Sequence, residues 1–132
     1  MAAFLDSNVV LYAFSEDPVR APLAQAIVES GFELSAQVLN EFINVSRKKL
    51  RLDWAEIESG LIYLRRAALI IHPVTSHTNL VGFALARRYN LAVYDSMIAA
   101  AALIARCDTL YTEDMQDGLV IEGLLTIRNP FA

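Results

Sequence analysis

The chain has 132 residues, 55% hydrophobic against 20% charged, a balance that supports one compact domain with a real core and excludes intrinsic disorder. Its formal net charge is −4, from 15 Asp and Glu against 11 Lys and Arg, which taken alone argues against a nucleic-acid binder because phosphate contacts need cations. The longest apolar run, Met97 to Ala105, is too short to cross a bilayer, the opening residues lack a signal-peptide pattern, and the lone Cys107 excludes an internal disulfide and suits a reducing cytoplasm.

Ala2 to Leu5 is a short apolar run met at once by Asp6-Ser7-Asn8, the pattern of a buried strand that delivers polar groups at its carboxyl end. Val9 to Phe14 and Pro18 to Ser30 read as helices, with Pro18 suited to a first turn and Gly31 to a C-terminal cap. Phe32 to Leu34 reads as a second strand, and Ser35 precedes a helical pattern that reaches about Leu50. Asp53 caps a helix running to about Ala68, Leu69 to Ile71 is a third strand, and Thr75 or Ser76 opens a helix to about Tyr89. Leu91 to Tyr94 reads as extended, ahead of an Ala-rich helix that begins near Asp95 and is apolar on almost every side. Thr109 to Tyr111 and Leu124 to Ile127 are two later strands.

No repeat, low-complexity stretch or linker divides the sequence, so residues 1–132 are expected to form a single domain. Strands alternating with helices predict an α/β fold, a sheet of mainly parallel strands with its working site beyond their carboxyl ends.

Acids from four stretches of the chain fall where such a site forms. Asp6 follows the first strand; Glu41 lies on a helical stripe with Val38, Phe42 and Val45; Asp95 opens the Ala-rich helix; Glu113 and Asp114 follow Thr109 to Tyr111. Each is also explained singly, as a cap, a turn or a salt bridge. Glu41 is the most informative, since a carboxylate on an apolar face must be protonated, paired or metal-bound.

Convergence of several acids has a cost. Two like charges ~4 Å apart repel by ~4 kcal/mol at an effective dielectric of ~20, a large share of the ~5–15 kcal/mol that keeps a domain folded. Protons or divalent cations must relieve it. Oxygen ligands without thiolate or imidazole select Mg²⁺ or Mn²⁺, which support phosphoryl chemistry. His72 and His77, with no Cys-x-x-Cys, make no closed zinc site. With four acids neutralised by cations the remaining charge is near balance, so the net charge no longer argues against phosphate contacts; the basic runs Arg47-Lys48-Lys49 with Arg51, Arg65-Arg66 and Arg87-Arg88 read most simply as solvated helix faces.

Leu5-Asp6-Ser7-Asn8 resembles the opening motif of PIN-domain nucleases, Ser35-Ala36-Gln37-Val38-Leu39-Asn40-Glu41-Phe42 their second, Tyr94-Asp95-Ser96-Met97-Ile98-Ala99-Ala100 their third, and Tyr111-Thr112-Glu113-Asp114 with Asp117 their fourth. The motifs come in the family's order across nearly the whole chain, and size and pattern resemble the VapC-type toxins of toxin–antitoxin pairs. The resemblance implies a three-layer α/β/α sandwich and metal-assisted in-line hydrolysis of single-stranded RNA, leaving a 5′ phosphate. It implies that Asp6, Glu41, Asp95 and Asp114 are catalytic and bind one or two Mg²⁺ or Mn²⁺ ions, with Ser7, Asn8, Thr112 and Asp117 supporting them.

Gly118 stands where the family commonly has Phe, which weakens Asp117, and strand alternation favours Asp114 over its neighbour Glu113. Asn44, Arg47, Lys48 and Lys49, one or two turns from Glu41, are candidate substrate contacts, and Tyr12 and Phe14 could stack on bases or pack in the core. The resemblance also implies a homodimer silenced by a cognate antitoxin, and the single cysteine and short apolar runs are read as those of a cytoplasmic protein with no membrane association; Val9, Val10 and Pro18 to Ile27 are a candidate surface for a partner contact.

Other readings stay open: a housekeeping PIN-type RNA-processing nuclease, or a catalytically silent interaction domain whose acids are caps and salt bridges. An aspartyl phosphatase would carry Asp-x-Asp where this chain has Asp6-Ser7-Asn8, and a flap-type DNA nuclease normally needs a longer chain.

Overall fold

The computed structural model describes residues 2–132. Short segments apolar on both faces suit strands covered on both sides, and the chain forms one sheet from β1 (Ala3–Leu5), β2 (Phe32–Ser35), β3 (Ile70–His72), β4 (Thr109–Tyr111), β5 (Val120–Ile121) and β6 (Leu125–Arg128). The spatial order is β3-β2-β1-β4-β6-β5. Pairings β3–β2, β2–β1, β1–β4 and β4–β6 are parallel, and β5 joins β6 antiparallel. The central strands are dry: Phe4, Leu5, Phe32, Leu34, Leu110 and Ile127 are fully buried.

Six helices alternate with the strands: α1 (Ser7–Ala13), α2 (Arg20–Glu29), α3 (Ala36–Lys48), α4 (Trp54–Ala67), α5 (Ser76–Tyr89) and α6 (Val93–Ile104). From β1 to β2 to β3 the chain steps outward in one direction, and from β3 to β4 it returns across β1. Right-handed crossovers therefore put α1 to α4 on one face and α5 with α6 on the other. Packing agrees, since α1 contacts α2 and α3, α3 contacts α4, and α5 lies against α6. The result is the expected three-layer α/β/α sandwich. Strand order reverses between β1 and β4, and the crevice at their carboxyl ends is where such sheets hold ligands.

Local chemistry explains most boundaries. Ser35 Oγ accepts from Val38 N at the start of α3, Asp53 and Glu56 close a capping box on α4, and Thr75 and Thr78 do the same on α5. Two expectations are corrected. The helix expected from Pro18 begins at Arg20, because Asp17 Oδ1 takes the amides of Val19 and Arg20 at 2.9 and 2.7 Å and holds Pro18 in the preceding turn. Leu91 to Tyr94 is not extended throughout. Asn90, left-handed at φ 55°, ends α5, and α6 starts at Val93, so Asp95 sits inside the first helical turn. The two-residue β5 went unanticipated because it is too short to leave a periodic signal. Among the described residues, no helix is long and apolar enough to cross a membrane.

Candidate metal centre

Asp6 leaves β1 at the switch point, tied to the neighbouring strand by its own N–H donating to the Tyr111 carbonyl at 3.0 Å. It is the N-cap of α1: its Oδ1 accepts the Ser7 N–H at 2.6 Å. Its Oδ2 accepts the hydroxyl of Thr112, just past β4, at 2.7 Å. The cap explanation of Asp6 is thus correct, and it does not exhaust the residue, since only one oxygen is used in capping.

Oxygens of Asp6, Asp95 and Asp114 lie within 4.8 Å of one another. Each comes from a different element: the end of β1, the first turn of α6 on the opposite face, and the turn after β4. Asn8 bridges two of them, its Nδ2 lying 3.4 Å from Asp6 Oδ2, 3.3 Å from Thr112 Oγ1 and 3.0 Å from Asp114 Oδ2. Its Oδ1 accepts the Glu113 N–H at 3.3 Å, and Thr112 Oγ1 accepts the Asp114 N–H at 3.1 Å. Asp114, not Glu113, joins the oxygen cluster; Glu113 lines a neighbouring groove with Tyr12 and Lys49.

Glu41 approaches from α3 and stands beside the three aspartates rather than among their converging oxygens. Ser7 Oγ donates to its Oε1 at 2.8 Å, and Gln37 Nε2 to its Oε2 at 3.0 Å. The same Gln37 amide donates to the Tyr94 carbonyl at 3.0 Å, one residue before Asp95, so a single side chain ties α3 to α6 across the site. Gln37 was missed in the sequence reading. Its signal was present, four residues before Glu41 on one helix face.

The electrostatics follow from this crowding. Burial pushes the Asp6 carboxyl up from 3.8 to about 6; the charges of Glu41 and Asp95 add to the rise, and the bonds from Thr112 and Ser7 oppose it. Asp95 is raised as well, first by burial, then by Asp114 and Glu41. Both effects are those expected of carboxylates brought together without a counter-charge, and a divalent cation would remove both. The all-oxygen donor set fits a hard ion of the Mg²⁺ or Mn²⁺ kind. Cys107 and His72 cannot compete for it, for they meet at Glu33 on β2: His72 Nε2 lies 2.6 Å from Glu33 Oε1, and Cys107 Sγ 3.6 Å from Oε2.

The remaining sequence candidates scatter. Asp117 Oδ1 accepts the Asn129 N–H at 2.8 Å and so fastens the C-terminal segment, with no recorded bond to the acids. Arg47 lies 4.6 Å over the Trp54 ring and donates to the Leu52 carbonyl, bracing the turn between α3 and α4. Lys48 is exposed. Lys49 lines a groove of about 410 Å³ with Ser7, Asn8, Tyr12 and Asp114. Asn44 lines another, about 330 Å³, with Gln37, Asn40, Glu41 and Tyr94. Tyr12 meets Phe131 edge-on at 4.9 Å, whereas Phe14 packs 5.5 Å from both Phe42 and Tyr63, in a cavity lined by α1, α2 and α4 residues and none of the acids.

In sequence, residues 3–116 match the PIN domain family. No curated protein matches the chain. Among solved structures, a toxin–antitoxin complex from Klebsiella pneumoniae aligns at a TM-score of 0.74 and 20% identity, over 98% of each chain. VapC20 of Mycobacterium tuberculosis, a toxin that cleaves the sarcin–ricin loop, aligns at 0.67 and 14%, over 83% of this chain and 87% of that one. VapBC2 of Rickettsia felis, bound to a DNA fragment from its promoter, aligns at 0.64 and 22% over 98% of each. At these identities the likeness is one of fold.

Proposed function

Because the chain belongs to the PIN domain family, we propose that it is an endoribonuclease hydrolysing phosphodiester bonds of single-stranded RNA with Mg²⁺ or Mn²⁺, and the toxin of a toxin–antitoxin pair. The observation that carries this reading is the meeting of three aspartate oxygens from separate elements within 4.8 Å. Structural silence would not assemble them, because their mutual repulsion is a standing cost that caps and turns elsewhere avoid. A divalent cation held by Asp6, Asp95 and Asp114, with Glu41 alongside, would supply Lewis acidity toward the phosphodiester and toward an attacking water.

The protein's own residues do the positioning. Thr112 and Ser7 hold Asp6 and Glu41 in single orientations, Asn8 spaces Asp6 from Asp114, and Gln37 keeps the α3 carboxylate facing α6. Lys49, in the groove that reaches Asp114, offers the cation needed to draw a phosphate backbone toward an acidic site. The toxin reading is supported by the fold's likeness to proteins solved as toxin–antitoxin complexes, and its partners are a cognate antitoxin and a second copy of the chain.

The test is cleavage of single-stranded RNA by the wild type, by Asp6→Asn and by Asp95→Asn, with Mg²⁺, with Mn²⁺ and with EDTA. The wild type should cut only with metal, and either substitution should slow it by on the order of 10²–10³-fold, the usual scale for removing one charge-stabilising group. A wild type as inactive as the variants would instead favour the silent interaction domain.

A further inference from the structure

Beside Glu41 lies a groove whose lining is neutral apart from that one acid: Gln37, Asn40, Asn44 and Tyr94 complete it, around about 330 Å³. We propose that it is a subsite for one unpaired nucleobase of the RNA strand, stacked on Tyr94 and read at its edge by Asn40 and Asn44. The proposal rests on the nuclease reading and adds to it the part of the substrate that is recognised.

Tyr94 is 73% exposed, so its ring contributes little to the core. It stands one residue before Asp95, in the first turn of α6, and is therefore held next to the acids. An aromatic face open to solvent beside a phosphodiester site is a stacking platform, and stacking requires a base that is not in a duplex. Asn40 and Asn44 are exposed, one turn apart on the α3 face that also carries Gln37 and Glu41. Among the described residues, neither amide has a recorded hydrogen-bond partner. A carboxamide presents a donor and an acceptor together, the pairing that base edges offer in return.

The groove is also held open. Gln37 Nε2 spans from Glu41 Oε2 to the Tyr94 carbonyl at 3.0 Å each, fixing α3 against α6 before any ligand arrives. Glu41, whose oxygens already accept from Ser7 and Gln37, lines the groove and stands beside the acidic cluster. A base seated here thus belongs to a nucleotide adjoining the reacting phosphate. The lining has no cation for a phosphate and no aliphatic side chain for an apolar peptide, which favours a base over an antitoxin segment. Its volume suits a small planar group rather than a helix.

The experiment uses a randomised single-stranded RNA pool cleaved with Mn²⁺, the new ends being sequenced, together with steady-state kinetics on one preferred sequence. Tyr94→Ala should raise KM about tenfold, with the loss falling on KM more than on kcat, and Tyr94→Phe should restore it. Asn40→Ala and Asn44→Ala should flatten the base preference at one position flanking the cut while melting temperature stays constant. Unchanged KM and cut-site profile in Tyr94→Ala would overturn the subsite, as would a change of mass in sedimentation with an unchanged profile, which would make the face a contact between copies. A wild type that cuts no RNA would overturn the nuclease reading instead, a different result from active enzyme with an unaltered profile.

Discussion

Asp6 is the residue in which fold and site conflict most. It is 2% exposed, it caps a helix, and its carboxyl is raised to about 6 against 3.8 unfolded. A raised carboxyl means that the folded state holds the proton more tightly, so the stabilisation is complete below about pH 3.8 and is lost as pH climbs through about 6. The metal-free wild type should therefore gain stability relative to Asp6→Asn as pH drops from 7.5 to 5, by about 1.4 kcal/mol, the part of the full shift that develops over that range. Paired thermal melts in EDTA measure it, and parallel curves would refute it. Gln37 makes a second residue-level case. Gln37→Ala removes the bonds to Glu41 Oε2 and the Tyr94 carbonyl, leaving Glu41 held by Ser7 alone, and should slow RNA cleavage about 10–100-fold, the scale for losing a residue that orients a metal-site carboxylate. A drop in kcat with little change in melting temperature would distinguish orientation from folding.

At the scale of elements, the contact between α5 and α6 matters most, because α6 carries Asp95 to the site. The helices approach at Gly82, where a Cβ would stand against the Met97 sulfur, 3.0 Å from its methyl and 3.4 Å from its Cα. Met97 is two residues beyond Asp95 on the same helix. Gly82→Val should thus destabilise by about 1–3 kcal/mol and, if the proposed cation site is correct, weaken metal binding as well, since the strain falls on the helix that carries Asp95. Thermal melts with and without Mn²⁺ check both effects. Unaltered metal affinity would mean that Met97 alone gives way. The caps of α3, α4 and α5 were legible in sequence because Ser35, Asp53 and Thr75 act within three residues of themselves. The start of α6 was not, because Leu91 to Tyr94 has the composition of a strand, and packing of α6 onto α5 overrides that preference.

For the whole molecule, the strand order brings together acids that are up to 108 positions apart in chain (Asp6 to Asp114), at the one crevice where the sheet changes direction. Binding a divalent ion there should stabilise the fold by mass action, about 2.7 kcal/mol at a hundred times the dissociation constant. Mg²⁺ or Mn²⁺ should raise the wild-type melting temperature, EDTA should reverse the rise, and Asp95→Asn should abolish it. An identical melt with and without metal would remove the cation from the account.

What the sequence determined by itself was whatever depends on near neighbours: apolar strands, caps, the α/β alternation, and which acids end an element. The tertiary structure alone decided how those acids are shared out. It drew Asp95 into the first turn of α6, set Glu41 beside the oxygen cluster rather than inside it, and turned Asp117 toward Asn129. It also gave Gln37 two partners on different layers. The reason is physical. A cap or a strand is settled by bonds within a few residues, whereas a converging carboxylate is settled by where distant elements pack, and its energy depends on distances that no local pattern encodes.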